Sequence, residues 1–165
     1  MRIAQAAFGF LVVTNGTWRV DWAYGLPLIV LNVVIHVVGL GLINQRAIRV
    51  ASGAIARHHP TSAFVLLLGT TTLVATILHW IEAGIWAIAY RLLGALPDNK
   101  SAMLYSLNAV TSYGHENLSL EARWQLMGAM EALNGWLLFG LTTAFLFGMM
   151  ERVRLLSSRE GTGSG

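Results

Sequence analysis

Three long apolar runs, separated by shorter polar segments, dominate the hydropathy pattern of this chain. They cover residues 22–45, 62–90 and 124–150, and the only charged residues within them are Glu82 and Glu131. A bilayer core of roughly 30 Å is crossed by about 20 apolar residues in a helix. Each run is therefore long enough to span, and the pattern predicts an all-α membrane protein with three transmembrane helices.

A shorter apolar stretch, residues 3–13, precedes the first run and has too few residues to cross a bilayer. Asn15 and Gly16 follow it, and this pair is typical of turns. We therefore expect an interfacial helix that ends at this pair. The first spanning helix is then expected at residues 26–43, with Trp22 and Tyr24 at the membrane interface.

The basic residues are unevenly distributed between the polar segments. Residues 44–61 carry three arginines and no acidic residue, and three more arginines follow the third apolar run. By the positive-inside rule both segments face the cytoplasm. This predicts a multi-pass protein of a bacterial inner membrane with a cytoplasmic carboxyl terminus. The Gly/Ser-rich tail from residue 157 is expected to be disordered.

The composition excludes several classes of function. The chain has no cysteine, so disulfides and thiolate metal sites are excluded. Its net charge of +3 comes from scattered arginines, without the dense basic patch that nucleic acid requires. The sequence also has no arrangement of nucleophile, base and metal ligands typical of a soluble enzyme. We therefore expect no enzymatic activity, no metal and no nucleic-acid partner.

A segment between the second and third runs has helical character but is too short to cross the membrane. Residues 101–109 are compatible with a helix, and Thr111, Ser112, Tyr113 and Gly114 follow shortly after. Non-helical backbone at membrane depth persists only where protein or a water-filled cavity surrounds it. The pattern leaves two interpretations open: a re-entrant loop in an oligomer, or an ordinary external loop that carries a surface helix.

Several blocks of sequence in the second half of the chain match the sequence pattern of a known family. They are HWIEAGIWA at residues 79–87, LGALPD at 93–98 and YSL at 105–107, with Gly135, Gly140, Leu141, Thr143 and Ala144 in the last apolar run. Over residues 78–152 the chain resembles the bacterial two-helix, pore-loop potassium channel superfamily. The resemblance implies a pore domain at residues 62–152, which follows an amino-terminal part (1–61) and precedes the disordered tail (153–165).

The family plan implies a homotetramer in which four chains surround one pore. Its loop offers backbone carbonyls in place of the hydration shell of potassium or another monovalent cation, and no other cofactor is implied. Membrane lipids are the remaining expected partners. The resemblance assigns a selectivity filter and a gating hinge to the following residues: Val110, Thr111, Ser112, Tyr113, Gly114 and His115 for the filter, and Gly135 and Gly140 for the hinge. Either glycine also suits close helix packing.

The filter departs from the family pattern T-x-G-Y-G-D at three positions. Val110 stands in place of the threonine, Ser112 in place of the first glycine and His115 in place of the aspartate. A residue other than glycine at positive φ costs roughly 1–2 kcal/mol. A potassium-selective pore, a weakly selective cation pore and a non-conducting relative all remain open. A ring of His115 side chains would become cationic in acid and reduce cation influx.

Four ionisable residues lie within the apolar runs and need an explanation. Glu82 and Glu131 are expected to face the protein interior and to support the pore loop, since charges inside membranes seldom face lipid. His36 and His79 lie on separate spanning helices, which raises the alternative of a haem-binding membrane protein. A non-conducting accessory membrane subunit is the third alternative.

Overall fold

A computed structural model of the chain describes residues 2–55, 60–114 and 118–162, and its regular structure is helical throughout. The helices are α1 (Arg2–Ile55), α2 (Pro60–Leu92), α3 (Asn99–Val110) and α4 (Gln125–Thr162), with a short 3₁₀ turn, Ala122–Trp124, before α4. Three segments are long and apolar enough to cross a membrane: Arg19–Ala47, Phe64–Leu92 and Ala122–Arg152. This confirms the prediction of an all-helical chain with three potential spans.

The structure differs from the sequence-based prediction at the amino terminus. Helix α1 continues through Asn15, Gly16 and Pro27 without a break. A glycine or asparagine weakens a helix by about 1 kcal/mol or less, whereas a break requires a second, unfavourable nucleation. Pro27 removes only the amide that would bond the carbonyl of Ala23, a loss that membrane helices tolerate.

The two polar segments that flank the spans also contain more helix than expected. Helix α1 extends beyond residue 43 to Ile55, and α4 extends to Thr162 although the sequence predicts disorder from residue 157. A helix that already exists gains one hydrogen bond for each residue added, so it propagates into polar sequence. The basic residues Arg57, His58 and His59 lie outside the described residues.

The chain divides into two units, of which the first contains α3 and the candidate filter. It consists of α1 through Val33 together with Glu82–Trp136. Its core is rich in aromatic residues: Trp86 and Tyr90 from α2 are fully buried, and Tyr105 from α3 packs edge-on against Tyr90 with ring centroids 5.3 Å apart. Such edge-to-face pairs contribute beyond their buried area, so they help to fix α3 against α2.

The second unit consists of Val34–Ile81 and α4 from Leu137 onward. A small cluster of Ala47, Leu67 and Met149 forms its core at one end. Gly39 lies against the side chain of Leu78 further along the same two helices. From the cluster of Ala47 with Leu67 to the contact of Gly39 with Leu78, residue numbers fall along α1 and rise along α2. The two helices therefore run antiparallel.

The amino terminus of α3 is capped by Asp98. Its side chain accepts hydrogen bonds from the Ser101 amide at 2.9 Å and from the Ser101 hydroxyl at 2.7 Å. Arg91 holds the loop before this cap, since it donates to the Leu96 carbonyl at 2.7 Å and to Asn99 Oδ1 at 2.9 Å. The hydrogen bonds from Ser101 keep the pKa of Asp98 below its ordinary value. The start of α3 is therefore fixed by local polar contacts.

We expect the cap to make stability depend on pH in strong acid. Because the folded-state pKa of Asp98 is depressed, its contribution is complete above the ordinary value of 3.8 and disappears as pH falls through the folded-state value. Asp98→Asn keeps an N-cap of equal quality but does not titrate. Thermal unfolding in detergent should therefore show a larger acid loss for wild type than for Asp98→Asn, and parallel pH profiles would contradict this.

Candidate functional site

The candidate filter begins as the carboxyl-terminal cap of α3. The Ser112 amide donates to the Ala109 carbonyl at 2.9 Å, and the Tyr113 amide donates to the Asn108 carbonyl at 3.0 Å. Ser112 has φ +54°, in the left-handed region. This pair of bonds around a left-handed residue is the Schellman arrangement, which is common at helix ends. The chain therefore turns sharply at Ser112 as it leaves α3.

Ser112 adopts a backbone conformation that normally favours glycine, and its side chain has a partner. The indole Nε1 of Trp136, on α4, donates to the Ser112 hydroxyl at 2.8 Å. This hydrogen bond offsets part of the roughly 1–2 kcal/mol that a left-handed serine costs. Gly114 also has positive φ, at +91°. The turn after α3 is thus tied to α4 by a side chain that the family pattern does not contain.

The predicted filter residues differ in their exposure. Val110 is buried, whereas Thr111, Ser112, Tyr113 and Gly114 are all exposed. Tyr113 is 84% exposed, which is unusual for a large aromatic side chain. His115 lies outside the described residues. The loop therefore presents a contiguous exposed backbone and one exposed aromatic ring.

Glu131, predicted to support the pore, is fully buried and bonded to both α2 and α3. The Tyr90 hydroxyl donates to Glu131 Oε2 at 2.7 Å, and the Ser106 hydroxyl is hydrogen-bonded to Glu131 Oε1. Ser106 also lies 2.6 Å from the Ala83 carbonyl oxygen. A side chain of α4 thereby joins α2 to the middle of α3.

A count of hydrogens favours a neutral Glu131 carboxyl in this network. The Ser106 hydroxyl has a single hydrogen, yet its oxygen lies within hydrogen-bond distance of two acceptors, the Ala83 carbonyl and Glu131 Oε1. If Ser106 donates to Ala83, the contact with Glu131 needs a hydrogen on the carboxyl. A neutral carboxyl that donates to Ser106 and accepts from Tyr90 satisfies every contact.

Gly135 lets the end of α3 approach α4 closely. A Cβ atom built at Gly135 would lie 2.8 Å from the Val110 carbonyl carbon and closer still to its oxygen. No side chain fits there unless the backbone moves. Gly140 differs, because no described atom outside its own helix lies within 4 Å of a Cβ built there. Among the described contacts, Gly135 therefore allows close helix packing and Gly140 does not contribute to it.

The other buried polar residues of the first unit include Glu82 and two asparagines. Glu82 is fully buried, and its backbone carbonyl accepts a hydrogen bond of 3.4 Å from Asn32 Nδ2. Asn134 is also fully buried, and neither side-chain atom has a hydrogen-bond partner among the described residues. Buried amides normally have partners, so Asn134 leaves hydrogen-bonding capacity unused within the first unit.

The two membrane histidines meet in the second unit. The Thr142 hydroxyl lies 3.0 Å from His36 Nε2 and 3.1 Å from His79 Nε2, and the ring centroids are 5.0 Å apart. One hydroxyl can donate to one ring and accept from the other. A haem iron held through both Nε2 atoms would lie between them, where the Thr142 oxygen already is. The geometry does not fit a haem between these rings.

Five polar residues of the two units have no role assigned from the sequence. Tyr90, Ser106 and Trp136 make the hydrogen bonds around α3 and the loop, whereas Asn134 is buried without a partner and Thr142 bonds the two histidines. In the sequence, the only indication of a structural role for these residues is that they are polar groups within apolar helices, where each polar group needs a hydrogen-bond partner. Asn134 and Glu131 in addition lie one helical turn apart on α4, so they share a face. The partners themselves come from distant parts of the sequence and could not be assigned.

Comparison of the chain with protein-family models, curated proteins and solved structures gives no match. The assignment of function therefore depends on the residues described above.

We expect Glu131→Gln and Glu131→Ala to behave very differently. The glutamine amide can donate to Ser106 and accept from Tyr90, as a neutral carboxyl does, so unfolding free energy should change by at most about 1 kcal/mol. Alanine leaves two buried hydroxyls without their partner and creates a cavity, which costs about 2–5 kcal/mol. Equilibrium unfolding in mixed micelles measures both. Equal losses would contradict the neutral network.

The two glycines of α4 provide a matched pair. Gly135→Ala forces the Val110 backbone away and should destabilise the protein by about 1–3 kcal/mol. Gly140→Ala should be neutral or slightly stabilising, because alanine is the better helix former by about 1 kcal/mol. The same unfolding assay compares them. A Gly135→Ala protein as stable as Gly140→Ala would show that the close approach is absent in solution.

Proposed function

We propose that four copies of this chain form a passive, weakly selective monovalent cation channel. The loop Thr111 to Gly114 of each copy would line the narrow part of the pore. The observation that carries this proposal is the exposed, non-helical backbone of this loop, held by buried contacts beside the middle of two potential spanning helices.

The contacts of the loop in the first unit favour a position at membrane depth. The Val110 backbone packs on Gly135, which lies ten residues after the start of α4 at Gln125. At 1.5 Å per residue this is about 15 Å along the helix, half of a roughly 30 Å bilayer core. Ala83, which contacts Ser106, lies nine residues before the end of α2 at Leu92. Both distances favour a re-entrant α3 over a surface helix.

Exposure at that depth favours an oligomer with an aqueous centre. Backbone outside a helix cannot face lipid, because its polar groups would have no partner. The residues from Thr111 to Gly114 are nevertheless exposed in the single chain. Neighbouring copies or water must therefore surround them, and a pore between copies supplies both.

The orientation of α3 favours cations. Its carboxyl end leads directly into the loop. A helix carries the equivalent of about half a negative charge at this end, which stabilises cations within the last turn. The exposed loop also contributes neutral hydroxyl and carbonyl oxygens, the hard ligands that suit monovalent cations.

The helix cap favours weak selectivity. A selective filter needs successive carbonyls that point toward one axis. Here the carbonyls of Asn108 and Ala109 are occupied by the amides of Tyr113 and Ser112. An ordered row can therefore begin only after Ala109, and the loop that follows carries the hydroxyls of Thr111 and Ser112 beside its carbonyls. The same observation favours the second candidate, a non-conducting accessory subunit that uses the loop as a contact surface.

The test is potassium and sodium flux into liposomes that contain the purified full chain, with cross-linking to count copies. Wild type should carry both ions at comparable rates, and Tyr113→Ala should change the rate severalfold. Trp80→Ala removes an aromatic side chain that is 56% exposed on α2, so it serves as the control and should conduct normally. A folded tetramer that carries neither ion would reject the channel and leave the accessory subunit.

Three further variants in the same assay separate the effect of the Ser112 hydroxyl from that of its left-handed backbone. Ser112→Ala removes the hydroxyl but keeps the left-handed strain, whereas Ser112→Gly removes both. Trp136→Phe removes only the donor to that hydroxyl. If the hydroxyl shapes the constriction, all three should change the potassium-to-sodium ratio. An unchanged ratio in all three would exclude Ser112 from the conduction path.

A further inference from the structure

A groove runs between α1 and α2 in the second unit and has a volume of about 610 Å³. Its α1 wall includes Gly39, Ile43 and Arg46, and its α2 wall extends from Leu66 to Ile81. The lining residues recur every three or four positions on both helices, so each helix contributes one continuous face. The groove is therefore built from regular helix surfaces.

The dimensions of the groove match one extended hydrocarbon chain. The α2 wall extends from Leu66 to Ile81, fifteen residues further along the helix, and at 1.5 Å per residue its length is about 22 Å. A volume of about 610 Å³ along this length describes a long, narrow groove. An extended acyl chain is much narrower than a helix with its side chains, which is about 10–12 Å across, and follows such a groove more closely.

The chemistry of the walls is that of a lipid-chain site. The lining is hydrocarbon apart from Arg46 and the threonines at positions 70 and 71. Thr70 donates its hydroxyl hydrogen to the Leu66 carbonyl at 2.7 Å, and Thr71 directs its own toward Met149 Sδ at 3.7 Å. Both hydroxyl hydrogens are thus used within the protein. Along its length the groove offers dispersion contacts rather than polar recognition.

Arg46 adds a charge at one end of this apolar groove. It is exposed and lies next to the last residue of the potential span Arg19–Ala47, which places it at the membrane interface. The groove extends from there along the spans. A guanidinium at the interface pairs well with a phosphate, in a bidentate geometry that lysine cannot reproduce.

We propose that this groove binds one acyl chain of an anionic phospholipid whose phosphate pairs with Arg46. The chain of the lipid lies along α2 from Leu66 toward Ile81. An anionic headgroup is preferred because a zwitterionic one carries its own cation, which competes with the guanidinium for the phosphate.

In the test, the full chain in neutral detergent micelles is titrated with either phosphatidylglycerol or phosphatidylcholine. Native mass spectrometry counts the bound lipids. Wild type should prefer phosphatidylglycerol. Arg46→Gln should weaken its binding about fivefold and remove the preference. Arg49→Gln is the matched control, because it removes the same charge three residues away at a position outside the groove. It should bind as wild type does.

A second pair of variants tests the groove itself. Val74→Trp fills it and should prevent binding of both lipids, whereas Leu73→Trp adds the same side chain outside the lining and should not. Equal binding of the two lipids by wild type, or equal losses in Arg46→Gln and Arg49→Gln, would overturn the proposal. So would a Val74→Trp protein that changes its oligomeric mass but not its lipid binding, since a second copy would then occupy the groove.

Discussion

A carboxyl group buried among three helices has to keep its hydrogen bonds, because a buried polar group without a partner costs free energy. Glu131 is in this situation, with Tyr90 on α2 and Ser106 on α3 as its partners. A shift of α3 by one turn would break the contacts of Ser106 with the carboxyl and with the Ala83 carbonyl. The network therefore fixes the position of α3 along its neighbours. The close approach of Val110 to Gly135 depends on that position, and the location of the candidate filter depends on both.

The family pattern predicts positive φ at Ser112, and the structure has positive φ there for a different reason. The resemblance placed a filter glycine there because positive φ aligns successive carbonyls. Ser112 does have positive φ, but as the left-handed residue of a helix cap. Its hydroxyl accepts from Trp136, an interaction that glycine could not make. The carbonyls of Asn108 and Ala109 serve this cap, so positive φ at Ser112 does not by itself indicate a selective filter.

The sequence predicted those features that depend on composition over long segments. The three potential spans follow from apolar length alone, and α3 follows from a short helical segment between turns. The predicted break at Asn15 and Gly16 was wrong because local turn preference is weaker than the cooperativity of a long helix. The partners of Glu131 and the shared Thr142 hydroxyl join residues that are far apart in sequence. Polarity marks such residues as needing a partner, but only the fold identifies it.

The exposed surface around the loop constrains how copies can associate. Leu133 and Trp136 are 59% and 70% exposed on α4, and both can face lipid at little cost. In the proposed re-entrant arrangement the backbone from Thr111 to Gly114 cannot, so it is the part that an assembly would have to cover. A twofold dimer would cover two loops against each other and leave no path between them. A ring of head-to-tail contacts covers the flanks of each loop and leaves an axial opening. In the proposed assembly, symmetry would therefore decide whether the same loop conducts ions or only joins subunits.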